Sequence, residues 1–140
     1  MINEKIVNKC LKIAKAVKFI KRSQIHYSFL VKKNKILSIG INNLRKTHPI
    51  AKFFNYRFYN IHSELMAILN YRKQDFSNLT MINIRLNKNK LMFAKPCRIC
   101  QKLLKHYGVS TVIYSNDNSN QGETWKTLTM WNILQFNLRL

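Results

Sequence analysis

The chain has 140 residues, of which 46% are hydrophobic, enough for one domain with a real core over 1–140. Its 25 lysines and arginines oppose 5 acidic residues, and the formal net charge of +20 favours polyanionic partners such as nucleic acid. Since no apolar run approaches the ~18 residues of a membrane span, we expect a soluble protein without membrane contact.

The first part of the chain predicts a helix followed by two strands. Residues 2–20 carry apolar side chains at helical spacing and lysines elsewhere, which indicates a basic amphipathic helix packed on a sheet. Gln24–Lys32 and 35–42 are predicted strands joined by a short polar turn. Residues 43–60 form a predicted loop and a possible substrate wall. Its aromatic and basic side chains are Phe53, Phe54, Tyr56, Phe58, Tyr59, Arg45, Lys46, Lys52 and Arg57.

The second part alternates helices and strands. The predicted elements are a helix at 62–74, strands at 80–86 and 91–94, a helix at 96–107, a strand at Thr111–Ser115, a polar loop, and a tail interpreted as a strand and then a helix. Helices that alternate with strands indicate an α/β sandwich with a mixed sheet.

Two short motifs carry the chemistry. His62 and Glu64 form H-x-E, and Pro96, Cys97 and Cys100 form P-C-x-x-C. The pair is the signature of zinc-dependent nucleobase deaminases. One imidazole and two thiolates bind zinc and leave its fourth position open, unlike a closed structural site. Because Glu64 is not a ligand, we expect it to move protons.

Each motif falls at the start of a predicted helix. Pro96 suits a first helical turn, where its missing N–H costs nothing. Cys97 and Cys100 are three residues apart and therefore point the same way. The positive ends of both helices would favour thiolates and the deprotonation of a zinc-bound water.

Other interpretations of the cysteines stay open. The C-x-x-C pair could be a disulfide or a redox pair, although the total of 3 cysteines is odd. A structural zinc would need a fourth ligand, for which Cys10, His26, His48 and His106 are the candidates. Cys10 falls on the apolar face of the first helix, so we expect it in the core.

Residues 25–117 resemble the cytidine and deoxycytidylate deaminase superfamily, especially its short phage-encoded members. Besides the two motifs, the resemblance rests on Gly40-Ile41-Asn42, Lys46-Thr47-His48-Pro49, Val112-Ile113-Tyr114-Ser115 and Asp117. Ser63 stands where alanine or valine is usual. The resemblance implies a three-layer cytidine-deaminase-like fold, in which helices flank a mixed five-stranded sheet and zinc lies at two helix N-termini.

The resemblance also implies a reaction and the residues that bind the substrate. Zinc lowers the pKa of its water, and Glu64 carries protons to the ring nitrogen and then to the departing amine, so that cytosine becomes uracil. The implied substrate contacts are Asn42, which would bind a sugar hydroxyl, and Ser63, Pro96 and Tyr114 around the base.

The charge and the aromatic loop favour cytosine in single-stranded DNA or RNA as the substrate. The alternatives are a free nucleotide or nucleoside (deoxycytidylate or cytidine), adenine as in tRNA editing, and a binding-only basic domain on a deaminase scaffold. Thiolate ligands fit a reducing cytoplasm, that of the host cell for a phage-encoded protein.

Overall fold

The computed structural model describes residues 4–17, 24–43, 48–56, 61–73, 75–117 and 124–129. Its helices are α1 (Glu4–Ala16), α2 (Pro49–Phe53), α3 (Ser63–Asn70) and α4 (Arg98–Tyr107). Its strands are β1 (Gln24–Lys32), β2 (Lys35–Ile41), β3 (Thr80–Asn87), β4 (Lys90–Met92), β5 (Thr111–Ser115) and β6 (Trp125–Thr129).

The strands form one mixed sheet in the order β2-β1-β3-β5-β6. Only the β3–β5 pair is parallel among the described pairings, and α4 provides its crossover. The short β4 folds back on β3 as a hairpin and is the sixth strand. The predicted mixed sheet flanked by helices is therefore confirmed. Five strands follow one another in the sheet order, and β4 pairs with β3 outside that order.

Alternation along the central strands separates two apolar layers. Tyr27, Phe29 and Val31 on β1 point towards α1, where they meet its buried face, Cys10 included. Leu30 on β1 points the other way, into the layer under α3 and α4. Cys10 thus lies in the core on the opposite face of the sheet from Cys97 and Cys100, as expected, and burial raises its pKa to about 12.

Helix α3 approaches β2 closely because Gly40 has no side chain. A Cβ at Gly40 would overlap the backbone nitrogen of Ala67 and the backbone oxygen of Ser63. Two hydrogen bonds join the same elements: the Ser38 hydroxyl donates to the Ala67 carbonyl (2.8 Å), and the Asn70 amide donates to Ile39 (2.8 Å). Helix α3 is therefore fixed against β2 along its length.

Three predictions about local structure were wrong. The loop 43–60 contains a helix, α2, which begins with Pro49 at its first turn after the N-cap residue His48. Pro96 does not lie in a helical turn, because Cys97 is the N-cap residue of α4. The helix predicted at 62–74 ends at Asn70. The tail begins with a strand, β6, as predicted, and the helix predicted after it lies outside the described residues.

None of the helices in the described ranges is long and apolar enough to span a membrane.

We predict that Gly40→Ala destabilises the fold and weakens metal binding together, because α3 must move away from β2. The expected loss in the free energy of unfolding is about 1–3 kcal/mol or more. Gly108→Ala is the control: Gly108 ends α4 at φ +89° with open space around it, so alanine there costs about 1–2 kcal/mol of backbone strain. Urea unfolding and zinc titration of both variants test this. Unchanged zinc affinity in Gly40→Ala would contradict it.

Candidate metal and catalytic site

The three predicted zinc ligands meet at the N-terminal ends of α3 and α4. His62 is the N-cap residue of α3, and its ring makes no capping hydrogen bond. Its Nδ1 lies 3.5 Å from Sγ of Cys100 and 3.7 Å from Sγ of Cys97. All the ligand atoms lie within 4.8 Å of one another. Tetrahedral zinc, with bonds of about 2.3 Å to sulfur and 2.0 Å to nitrogen, needs N···S separations of about 3.5 Å. The site therefore fits zinc with three ligands.

The start of α4 is built around the two cysteines. Cys97 caps the helix, because its Sγ accepts a hydrogen bond from the backbone N–H of Cys100 at 3.4 Å. Serine or aspartate usually caps in this way, and a thiolate is an equivalent acceptor. Cys100 lies in the first turn and is buried, whereas Cys97 is exposed. The capping hydrogen bond therefore fixes the Cys97 sulfur close to Cys100.

The three ligands differ in how readily they lose their protons. The hydrogen bonds of Cys97 with Cys100 and then His62 lower its pKa to about 4, so it is a thiolate at neutral pH. The hydrogen bond to Cys97 raises the pKa of His62. Burial raises the pKa of Cys100. A cation at the site would release the Cys100 proton, since metals bind the thiolate.

Glu64 lies in the first turn of α3, where burial raises its pKa. Both carboxyl oxygens have partners: the Ser63 hydroxyl donates to Oε1 at 3.1 Å, and the Asn83 amide donates to Oε2 at 3.2 Å. Ser28 lies behind them, 2.7 Å from both the Ser63 hydroxyl and the Asn83 amide oxygen. All four side chains are buried.

Which atom donates each hydrogen bond in this network depends on whether Glu64 is ionised or protonated. The amide oxygen of Asn83 can only accept, so the Ser28 hydroxyl donates to it. The contact between the two serines then uses the Ser63 proton. When Glu64 is ionised, Oε1 requires that same proton. When Oε1 is protonated, Glu64 donates to Ser63 instead, and every contact is a hydrogen bond. The network therefore satisfies one more hydrogen bond when Glu64 carries a proton.

A cavity of about 270 Å³ opens over these groups. Its volume is near the lower end of small-molecule sites, which start at about 300 Å³. Besides His62, Glu64 and Cys97, its polar lining is His26, Asn42, Ser63, Asn83 and Lys95.

One wall of the cavity continues the β1–β2 pairing. The backbone N–H of His26 donates to Oδ1 of Asn42 at 3.2 Å, and the Asn42 N–H donates to the His26 carbonyl at 3.3 Å. Burial lowers the pKa of His26 to about 4, with smaller contributions from Arg85 and His62. Its imidazole is therefore neutral at pH 7 and can donate or accept a hydrogen bond.

Comparison with known proteins decides the family. The family model described as "Cytidine and deoxycytidylate deaminase zinc-binding region" matches residues 1–116. The chain belongs to this deaminase family. It is accordingly a zinc-dependent enzyme of the cytidine or deoxycytidylate deaminase type, with Zn²⁺ as its cofactor. No curated protein matches the chain.

Solved structures of phage deaminases share the fold. The apo dCMP deaminase of cyanophage S-TIM5 is 19% identical, with a TM-score of 0.54 over 96% of this chain and 94% of that one. The structure of the same cyanophage enzyme with dCMP and dUMP is 20% identical, with a TM-score of 0.53 over 84% of this chain and 85% of that one. The cytidine-deaminase-like architecture expected from the sequence is thereby confirmed.

Two of the four predicted substrate contacts line the cavity of the deaminase, and two do not. Asn42 and Ser63 line it. Pro96 is buried beside it, and its carbonyl accepts a hydrogen bond from Gln101 at 2.9 Å. Tyr114 is buried in the core under α3 and α4, edge-on to the Phe93 ring with centroids 5.7 Å apart.

The three described aromatics of the loop do not line the cavity either. Phe53 is 74% exposed, Phe54 packs against His106, and Tyr56 is buried beside Cys100. Phe58, Tyr59, Arg45, Lys46 and Arg57 fall outside the described residues.

Sequence reasoning missed the residues behind Glu64. Ser28 and Asn83 occupy strand positions that face α3, where the pattern predicts apolar side chains. The signal was present as imperfect alternation in the strand around Asn83, because a polar residue on the buried face of a strand needs a partner. His26 and Lys95 gave no such signal.

We predict that Asn83→Ala lowers kcat of the deaminase about 10- to 100-fold with little change in KM, because the Glu64 carboxyl loses its donor at Oε2. Zinc content should stay near one per chain. Asn70→Ala is the matched control, since its amide makes one hydrogen bond between α3 and β2, to the Ile39 carbonyl at 2.8 Å, at the end of α3 away from Glu64. Steady-state kinetics and unfolding of both variants test this, and equal losses of kcat would contradict it.

Proposed function

We propose that residues 1–140 are one deaminase domain that hydrolyses the amino group of cytosine in a free pyrimidine nucleotide, with deoxycytidylate as the substrate. His62, Cys97 and Cys100 are the proposed zinc ligands, and Glu64 is the proposed proton carrier. One observation carries this assignment: Glu64 shares the cavity with His62 and Cys97 while standing outside the cluster of ligand atoms. Two thiolate ligands suit a reducing compartment such as the cytoplasm.

Zinc bound by these ligands would acidify a water molecule in the cavity. Glu64 accepts a proton from that water and delivers it to the ring nitrogen beside the amino-bearing carbon, which makes the carbon electrophilic. The oxygen of water adds to this carbon. Glu64 then takes the remaining proton from the added oxygen and gives it to the amino group, the C–N bond breaks, and ammonia leaves behind a carbonyl. Its raised pKa suits Glu64 to hold a proton between these transfers.

The remaining cavity residues can orient the substrate. Asn42 lines the cavity, and the resemblance implies that it would bind a sugar hydroxyl; its partner His26 offers a neutral imidazole. Ser63 lines the cavity next to Glu64 and would contact the base. Lys95 is the cation among the described cavity residues and would suit a phosphate group.

We predict that Glu64→Gln retains about one zinc per chain and loses at least about 100-fold in kcat, because an amide cannot carry the proton. The amide preserves the volume of the side chain, so unfolding should change little. Elemental analysis and kinetics measure the two quantities. Turnover at the native rate in this variant would rule out Glu64 as the proton carrier.

A free nucleotide is favoured over the polynucleotide expected from charge. The cavity is small, and the described aromatics of the loop do not line it. The solved structures that share the fold include a phage dCMP deaminase in complex with dCMP and dUMP. Cytosine in single-stranded nucleic acid is the second candidate, which the net charge of +20 favours.

Turnover of deoxycytidylate, deoxycytidine, a cytosine-containing single-stranded oligonucleotide and an adenine-containing one separates these candidates. We predict the highest kcat/KM on deoxycytidylate, lower activity on deoxycytidine because the phosphate is missing, and no inosine from adenine. A preference for the cytosine oligonucleotide that falls steeply with salt would favour the second candidate instead.

A further inference from the structure

Tyr56 reaches the metal site from the segment that follows α2. The His48 ring caps α2 by accepting a hydrogen bond from the Ile50 N–H at 3.1 Å. The chain then turns at Asn55, with φ +61°, and the Tyr56 N–H donates to the Ala51 carbonyl at 3.0 Å. The side chain of Tyr56 is only 4% exposed. Its position is therefore fixed by local hydrogen bonds and burial.

The side chain touches two of the three proposed zinc ligands. Its hydroxyl lies 2.8 Å from Sγ of Cys100. Its ring packs edge-on against the imidazole of His62, with centroids 4.7 Å apart and planes at 64°. Cys100 is buried, so water is not available to solvate its sulfur.

We propose that Tyr56 is a positioning residue of the zinc site, whose hydroxyl donates a hydrogen bond to Sγ of Cys100 and whose ring sets the plane of His62. This rests on the proposed ligand set. A metal-bound thiolate carries no proton, so the hydroxyl must be the donor of this bond. Partners of this kind orient ligands, and their loss typically costs 10- to 100-fold in metal affinity.

The alternative is that Tyr56 only fills the core and that its hydroxyl is near Cys100 by packing alone. The two roles differ in what removing the hydroxyl does. A core residue would change the free energy of unfolding of the apo and metal-bound forms alike. A positioning residue changes the metal affinity and the electronic character of the sulfur.

The test compares Tyr56→Phe, which keeps the ring, with Tyr71→Phe as the matched control. Tyr71 also donates one hydroxyl hydrogen bond, to the Asp75 carbonyl at 2.6 Å, away from the ligands. Metal-free unfolding, zinc affinity by competition with a chelator, and the thiolate-to-metal band of the Co²⁺-loaded protein are measured for each.

We predict that Tyr56→Phe weakens zinc binding about 10-fold or more and shifts the Co²⁺ band to longer wavelength, because a thiolate without its donor holds its electrons less tightly. Tyr71→Phe should change neither quantity. An unchanged affinity and an unchanged band in Tyr56→Phe would overturn the proposal, as would the same changes in Tyr71→Phe.

A second measurement serves if Tyr56→Phe does not fold. Protein made with 3-fluorotyrosine keeps every side chain but has more acidic hydroxyls, which donate more strongly. The Co²⁺ band should then shift to shorter wavelength, and a band that stays in place would overturn the proposal. Failure of the ligand set itself is distinguishable, because the native protein would then show no thiolate-to-cobalt band at all.

Discussion

Burial of the Glu64 carboxyl is the constraint on which the rest of the site depends. An ionised carboxylate without partners costs several kcal/mol when it is removed from water. The chain meets this cost in two ways that are visible in the structure. Asn83 and Ser63 hydrogen bond its oxygens, and the N-terminus of α3 adds the positive end of a helix. Polar side chains in the centre of the sheet are the consequence.

The metal site joins two separate elements, and this couples the metal to the fold. Two cysteines at the start of α4 lie beside His62 at the start of α3, so a cation bound by all three would link the two helices. Part of the free energy of metal binding is then free energy of folding. Close packing at Gly40 and the cap at Cys97 fix the two helix starts before any metal arrives.

The features that could be predicted from the sequence are those that depend on residues close together in the chain. H-x-E and P-C-x-x-C are local patterns with a single chemical meaning. Strands such as Thr111–Ser115 can be predicted from their composition alone. The position of Pro96 was misjudged because a proline just before the N-cap residue and a proline at the first helical position differ by only two residues. Ser28, Asn83 and Tyr56 act through partners far away in the chain, and a polar strand residue does not reveal its partner.

The aromatic loop shows the same limit on the functional side. Its composition indicated a surface for bases, yet composition does not distinguish a ring that faces substrate from one that packs under a metal ligand. Likewise, the count of 25 basic residues is a property of the whole chain. It does not predict the charge of the cavity, which has one lysine among its described residues. Substrate class is decided by the cavity, which long-range packing creates.

The hairpin between β3 and β4 is a place where the chain can change in length without moving the residues of the site. Arg85 pairs with Met92 and Asn87 with Lys90, so the hairpin closes on itself. Beyond it, Ser115 on β5 holds both sides: its hydroxyl donates to the Met92 carbonyl at 2.7 Å and accepts from the Arg85 backbone N–H at 3.2 Å. Residues inserted or deleted at the hairpin tip would therefore leave Cys97 in place. A lineage of such enzymes can vary the distance between its two zinc motifs at this point without altering its chemistry.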